Sequence, residues 1–267
     1  MTTLSTHAQE QAAVWGTDAR GWADYAEVHN EPLFVRVLDA AHVVEGTRLL
    51  DVGCGSGRVL ELARDRGARV TGLDVSQPLL DVAWERVPEA RLLLAEMDVL
   101  PFDEGSFDAV VGVNAFQFAA DPQVALAQAG RVLVPGGRLV ASLFAEPERS
   151  ESTAIHQALS ALVPSSTAAP THTPYLLSEP GNLEAAVQAA GLELVDAGEV
   201  PCVWAYDNAD DAVRGLLASA GGARATAVAG RIAVDAAIRT AVRPFAAGDG
   251  SIRMHNTFRW LSASKPA

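Results

Sequence analysis

The amino-acid sequence predicts an α/β fold, with a largely parallel sheet wound by helices on both faces. Three observations lead there. Short apolar runs alternate with helix-length segments between residues 48 and 144, a rhythm that requires helices to cross over a buried parallel sheet. The first of those runs ends in clustered glycines, as a strand turning sharply into a helix does. The chain has 267 residues, 49% hydrophobic and 20% charged, which is enough to bury one large core without disulfides.

Residues 7–44 hold no strand pattern; Trp15, Trp22, Tyr25 and Phe34 punctuate two helices, the second opening at Pro32, a favoured first-turn residue. Residues 1–45 thus read as an N-terminal helical cover. The core, residues 46–145, starts with a strand at Arg48–Val52, a helix to about Arg66 and a strand at Arg69–Leu73. It continues with a helix at Pro78–Arg86, strands at Arg91–Met97 and Phe107–Val113, a helix at Pro122–Leu133 and a strand at Arg138–Phe144. The Pro135–Arg138 segment, PGGR, reads as a tight turn into that strand. Residues 146–180 carry five prolines and many Ser and Thr, an interruption long enough to act as a lid over a substrate. Such a lid would be cut by proteases near Ser165–Thr173, less readily with ligands bound. Residues 181–267 then supply a helix near Asn182–Ala190, a strand near Leu192–Ala205, helices to about Ala241 and a strand at Ile252–Ala263, completing the sheet.

Composition narrows the function. The net charge of −13 repels a phosphate backbone, and no run of Lys or Arg makes a local exception, so nucleic acid is not an expected partner. The opening MTTLSTHAQEQ has neither a basic start nor an apolar stretch, and no apolar run approaches the ~18 residues of a membrane span. A cytoplasmic protein without a membrane partner is expected. Cys54 and Cys202 read as free thiols, and no metal-ligand spacing occurs. The sequence does not choose between monomer and homodimer.

The chemistry is concentrated in LLDVGCGSG, residues 49–57. Gly53, Gly55 and Gly57 allow a tight turn and close approach of a ligand to the backbone at the N-H groups of a helix start. Asp74 ends the second strand 21 positions after Gly53, where a carboxylate can accept hydrogen bonds from ribose hydroxyls. Together they indicate a nucleoside-bearing cofactor. The glycines run G-x-G-x-G and not G-x-G-x-x-G, and Asp51 just before them would repel a pyrophosphate but attract an ammonium. S-adenosylmethionine fits better than a dinucleotide.

LDVGCGSG, GLDVS, LPFDEGSFDAVVGVNAFQF and VLVPGGRLV, in this order, resemble the class I S-adenosylmethionine-dependent methyltransferases, in the branch that acts on small molecules and ubiquinone-type substrates. The resemblance covers about residues 46–145. It implies a Rossmann-like seven-stranded sheet whose last strand is antiparallel, with the cofactor at the carboxyl ends of the strands. It also implies Asp51, Gly53, Gly55 and Gly57 around the methionyl end, Asp74 on the ribose and Val75 against adenine. Counting back from Pro101 places Glu96 at the adenine amino group and the Met97 backbone N-H at a ring nitrogen, in preference to Asp98. Asn114 would face the methionyl portion. Gln117 stands where relatives often carry histidine, and a glutamine can orient a substrate but cannot serve as a base near neutral pH.

Candidates for acceptor contact are Trp22, Tyr25 and Gln117, with His156, His172 and Tyr175 in the lid. No residue stands out as the catalytic base. The expected function is methyl transfer to a small molecule, of natural-product type, by direct displacement with alignment and exclusion of water. Two rivals are a nucleotide-dependent oxidoreductase, disfavoured by Asp51 and the glycine spacing, and a protein of the same fold that binds S-adenosylmethionine for a different reaction.

Overall fold

A computed structural model describes residues 4–164 and 176–267. Seven strands form one sheet in the order β3-β2-β1-β4-β5-β7-β6. They are β1 (Arg48–Val52), β2 (Arg69–Asp74), β3 (Arg91–Leu94), β4 (Phe107–Val113), β5 (Leu133–Phe144), β6 (Glu193–Tyr206) and β7 (Ile252–Ser264). β1 to β5 are mutually parallel, and β7 runs antiparallel to both β5 and β6. The doubly wound, Rossmann-like sheet with its antiparallel last strand is therefore as expected.

The helices are α1 (Thr6–Trp15), α2 (Ala19–Gly21), α3 (Glu31–Ala40), α4 (Arg58–Asp65), α5 (Gln77–Arg86), α6 (Pro122–Val132), α7 (Thr153–Ser160), α8 (Asn182–Ala189), α9 (Ala209–Leu217), α10 (Ala220–Ala229) and α11 (Arg231–Val242). Neighbouring strand residues point to opposite faces, and both faces are buried. Leu49, Val111 and Val140 join one apolar layer with α3, α4 and α5 residues such as Leu33, Leu60 and Leu80. Leu50, Val110 and Leu139 join the other with Leu126 of α6 and Leu183 of α8. No helix among the described residues is long and apolar enough to cross a membrane.

Several elements differ from the sequence reading. β3 ends at Leu94, three residues before the expected Met97, because the chain must turn there to present Glu96 and Met97 at the sheet's carboxyl edge. β5 begins at Leu133, since Phe107 pairs with Leu133 and Ala109 with Arg138. The PGGR segment is thus an excursion within a paired strand, with Gly136 at φ +76°, where no L side chain sits comfortably. The N-terminal cover has more than two helices: Trp22–Ala26 is a wide π turn and Glu27–Asn30 a 3-10 turn, both preceding α3.

α9 and α11 do not lie on a sheet face. With Ile155 and Leu159 of α7 they enclose an apolar cluster around Tyr206 and Met254, beyond the carboxyl end of β6. Arg224 of α10 donates to Gln11 of α1 at 3.2 Å, so this cap joins the N-terminal cover above the sheet.

The strand order also creates a basic cluster that the sequence reading missed. Arg48, Arg69 and Arg91 open β1, β2 and β3, and Arg48 and Arg69 stand in register on adjacent strands. Arg48 is tied to Asp108 at 2.6 Å, and Arg91 lies over the Phe102 ring at 5.3 Å. A parallel β-α-β unit returns to the same edge about every twenty residues, which a search for contiguous charge does not detect.

Among the ion pairs that fasten the N-terminal cover to the core, one is largely buried. Arg86 Nη1 donates to Glu27 Oε2 at 2.7 Å and to the Ser56 carbonyl at 3.0 Å, with side chains only 18% and 6% exposed. Arg86→Ala would leave Glu27 buried and unpaired, so a loss of about 3–5 kcal/mol in denaturant unfolding is expected. A loss within the ~0–1 kcal/mol of surface pairs would contradict this placement.

Candidate functional site

The carboxyl ends of β1, β2, β4, β5 and β6 converge on one cavity of about 630 Å³, roofed by α1, the π turn, α7 and α10. Its volume lies within the ~300–1,000 Å³ of small-molecule sites.

The floor comes from the glycine turn. Gly53, Gly55 and Gly57 all have positive φ, +72°, +53° and +81°, but their surroundings separate their roles. A Cβ on Gly53 would meet the Ala115 Cβ at 2.8 Å, and one on Gly57 would meet the Ala83 Cβ at 2.9 Å. Gly57 is therefore required by packing against α5 and does not line the cavity. A Cβ on Gly55 would meet nothing within 4 Å, and Gly55 lines the open space.

Three carboxylates approach this floor. Asp51 is 1% exposed, and its Oδ2 has no hydrogen-bond partner. Burial above all, with Asp74 and Glu27 nearby, pushes its carboxyl up to about 8. Asp74 accepts from Gly55 N at 2.9 Å and from Ser76 N at 2.9 Å; burial still holds its carboxyl above the ordinary range. Glu27 is likewise raised by burial, opposed by Arg86. This concentration of buried, undercompensated negative charge has the electrostatics of a cation site.

The remaining expected residues fall on the walls. Val75, Glu96, Met97 and Asn114 line the cavity with Asp51 and Asp74, as do Trp22 and Gln117. Asn114 adopts φ +51°, an uncommon conformation for a side chain that is not glycine. Its Oδ1, like Gln117 Oε1, is buried without a partner. Glu96 is already engaged, accepting from Ser5 N at 2.5 Å and Ser5 Oγ at 2.7 Å at the start of α1. Asp98 holds the N-H groups of Ala120 at 3.3 Å and Asp121 at 2.8 Å.

Tyr25 stands apart from the cavity lining, its ring under the Arg214 guanidinium at 5.5 Å. It faces α9, within the wider i→i+5 turn, whose side chains are spaced at a smaller angle than in an α-helix. His172 and Tyr175 lie outside the described residues, as does the Ser165–Thr173 segment. The sequence reading missed Glu27, Trp15, Phe144 and Trp204, all of which line the cavity. Only their convergence in space marks them, apart from Phe144, whose position at the end of a strand was a usable signal.

Comparison with known proteins finds a domain match in the core. A model described as "Methyltransferase domain" matches residues 50–141, the segment that carries β1 to β5 and the glycine turn. The chain carries a class I methyltransferase domain. Around that domain, the demethylmenaquinone methyltransferase of Renibacterium salmoninarum is 39% identical over 111 residues, covering 42% of this chain and 47% of that protein. The malonyl-[acyl-carrier protein] O-methyltransferase of Erwinia pyrifoliae is 32% identical over 156 residues, covering 58% and 59%. The chain thus spans about half the length of the curated relatives it matches. Among solved structures, the [4+2]-cyclase SpnF superposes with a TM-score of 0.57 at 23% identity, covering 88% of this chain and 81% of that one. That likeness concerns the fold alone.

Proposed function

We propose that the chain transfers a methyl group from S-adenosylmethionine to a small-molecule acceptor. The observation that carries this reading is Asp51, a fully buried carboxylate with an unsatisfied oxygen at the glycine turn. A methionyl ammonium supplies the charge and the hydrogen bond that Asp51 lacks, whereas a pyrophosphate would meet three carboxylates. The matching methyltransferase domain supports the same reading.

In this proposal Asp51 and the Gly53–Gly55 backbone hold the methionyl end, and Asp74 accepts from the ribose with lone pairs left over from its backbone contacts. Val75 and Met97 line the base, with Glu96 reaching the adenine amino group only as far as its bonds to Ser5 allow. Asn114 and Gln117 turn their unsatisfied oxygens toward the reacting end. When bound, the sulfonium supplies an electrophilic methyl with a neutral thioether as leaving group. The chain's own residues align the acceptor behind that methyl and exclude water. Residues of α1, the π turn and α7 act as covers, and the apolar walls suit a hydrophobic acceptor of natural-product type.

Gly55→Val and Gly57→Val test the floor of the site. Gly55→Val should bind S-adenosylmethionine at least about a hundredfold more weakly, because the side chain enters ligand space, with a stability cost confined to the strain of a β-branched residue at φ +53°. Gly57→Val should instead destabilise the fold through the Ala83 clash. Calorimetric titration and thermal unfolding read the two effects, and equal binding by Gly55→Val and wild type would contradict the placement.

The activity itself is tested by transfer of labelled methyl to an acceptor panel. A chain that binds S-adenosylmethionine yet labels no acceptor would favour the rival in which this fold serves a different reaction. Titration with NAD should show no binding.

A further inference from the structure

The far half of the cavity is built around one imidazole. His156, on α7, packs edge-on against Phe144, with ring centroids 5.7 Å apart and planes at 86°. Phe144 meets Trp204 at 6.1 Å and 77°, and the Trp204 indole N-H is spent on Oδ1 of buried Asn30 at 3.0 Å. Phe144 ends β5 two residues beyond Ser142, the register partner of Val113, which directly precedes Asn114. A group of rings at the ends of β5 and β6 therefore reaches α7, and Phe144, Trp204 and His156 line the same cavity as Asp51 and Asn114.

Neither ring nitrogen of His156 has a hydrogen-bond partner among the described residues, in contrast with His7, which is bonded to the Phe118 carbonyl at 2.9 Å. The charged groups on the elements packed against α7 are committed elsewhere. Asp235 of α11 pairs with Arg239, Glu151 before α7 pairs with His255, and Arg224 of α10 donates to Gln11; Arg231 of α11 is exposed. Burial without a charged neighbour holds the imidazole below its ordinary range, so near neutral pH it is uncharged and has a lone pair able to accept a proton.

We propose that His156 takes the proton of a hydroxyl carried on a planar apolar ring, and that the acceptor is a phenol. This inference rests on the methyl transfer proposed above. The edge-to-face rings of Phe144, Trp204 and His156 suit a flat apolar partner. None of them carries a formal charge to compensate a carboxylate or ammonium desolvated among them. A phenol enters neutral and must lose its proton as it is methylated. The hydroxyl oxygen forms a bond to the methyl carbon while the carbon-sulfur bond breaks and its electron pair returns to sulfur. The proton passes to the free nitrogen of His156, so the positive charge that began on sulfur ends on the imidazolium, which releases the proton to solvent.

The test measures labelled methyl transfer to phenols and naphthols of graded acidity, with 4-nitrophenol as the most acidic, by wild type, His156→Gln and His156→Asn. Binding of S-adenosylhomocysteine is measured in parallel and should be equal in all three. At pH 7 both variants should lose about 100-fold in kcat/KM on weakly acidic phenols, the usual scale of a positioned base, and only about fivefold on 4-nitrophenol. The loss should shrink as pH approaches the acceptor's own pKa. Uniform loss across acceptors, or no loss, would overturn the role of His156. If wild type binds S-adenosylhomocysteine but methylates no phenol, the acceptor class is overturned. If it does not bind, the proposed function fails and this inference with it.

Discussion

Asp51→Asn is expected to weaken S-adenosylmethionine binding by about 150-fold, the equivalent of about 3 kcal/mol for a buried charge pair. The carboxyl of Asp51 rises to about 8 in the folded chain, from an ordinary value near 3.9. The folded, unliganded protein therefore holds a proton that the unfolded chain releases. The stability this provides is fully present at low pH and is lost as pH rises through about 8. Asp51→Asn should remove the Asp51 share of that decline, so thermal midpoints fall less steeply than in wild type as pH rises toward about 8, the remaining slope belonging to Asp74 and Glu27. An ammonium placed beside Asp51 reverses the preference and expels the proton, so binding at pH 7 should release close to one proton per site. Calorimetry in buffers of different ionisation enthalpy measures the release, and identical heats in phosphate and Tris would contradict the ammonium contact.

Asp74→Ala is expected to act on ligand and loop together. Two charge-assisted bonds to ribose, each worth about 1.5–3 kcal/mol, would be lost, weakening binding by about 10²–10⁴-fold. The N-H groups of Gly55 and Ser76 would also lose their acceptor, at about 1–3 kcal/mol for each group left buried, so the melting temperature should fall as well. A ligand lacking the ribose 2′-hydroxyl separates the two effects. It should bind wild type more weakly than S-adenosylmethionine does, while the variant binds both alike. A variant that still discriminated between them would move the ribose away from Asp74.

The legible parts of the molecule were those whose signal is local. A strand, a glycine turn and a strand-end carboxylate lie within thirty residues of one another, so residues 48–74 announced both the fold and one end of the site. The antiparallel β7 followed from resemblance alone, since nothing within Ile252–Ser264 tells its direction. Glu96 shows a limit of positional carry-over: counting from Pro101 brought it to the cavity, but its contact with Ser5 comes from α1, 91 positions away in sequence. Phe144, His156 and Trp204 meet only because α7 folds back over β5 and β6. Tyr25 was displaced by a π turn, which has no reliable composition signature. Arg48, Arg69 and Arg91 became neighbours through strand order, not through sequence.

The most direct test of the central claim is a crystal structure of the chain with S-adenosylhomocysteine bound. The amino group should lie within hydrogen-bond distance of Asp51 Oδ2, the ribose hydroxyls on Asp74, and the sulfur should face the part of the cavity bounded by Asn114, Phe144 and His156. A ligand bound with its ribose at Asp51, or outside the carboxyl ends of β1, β2 and β4, would contradict the account.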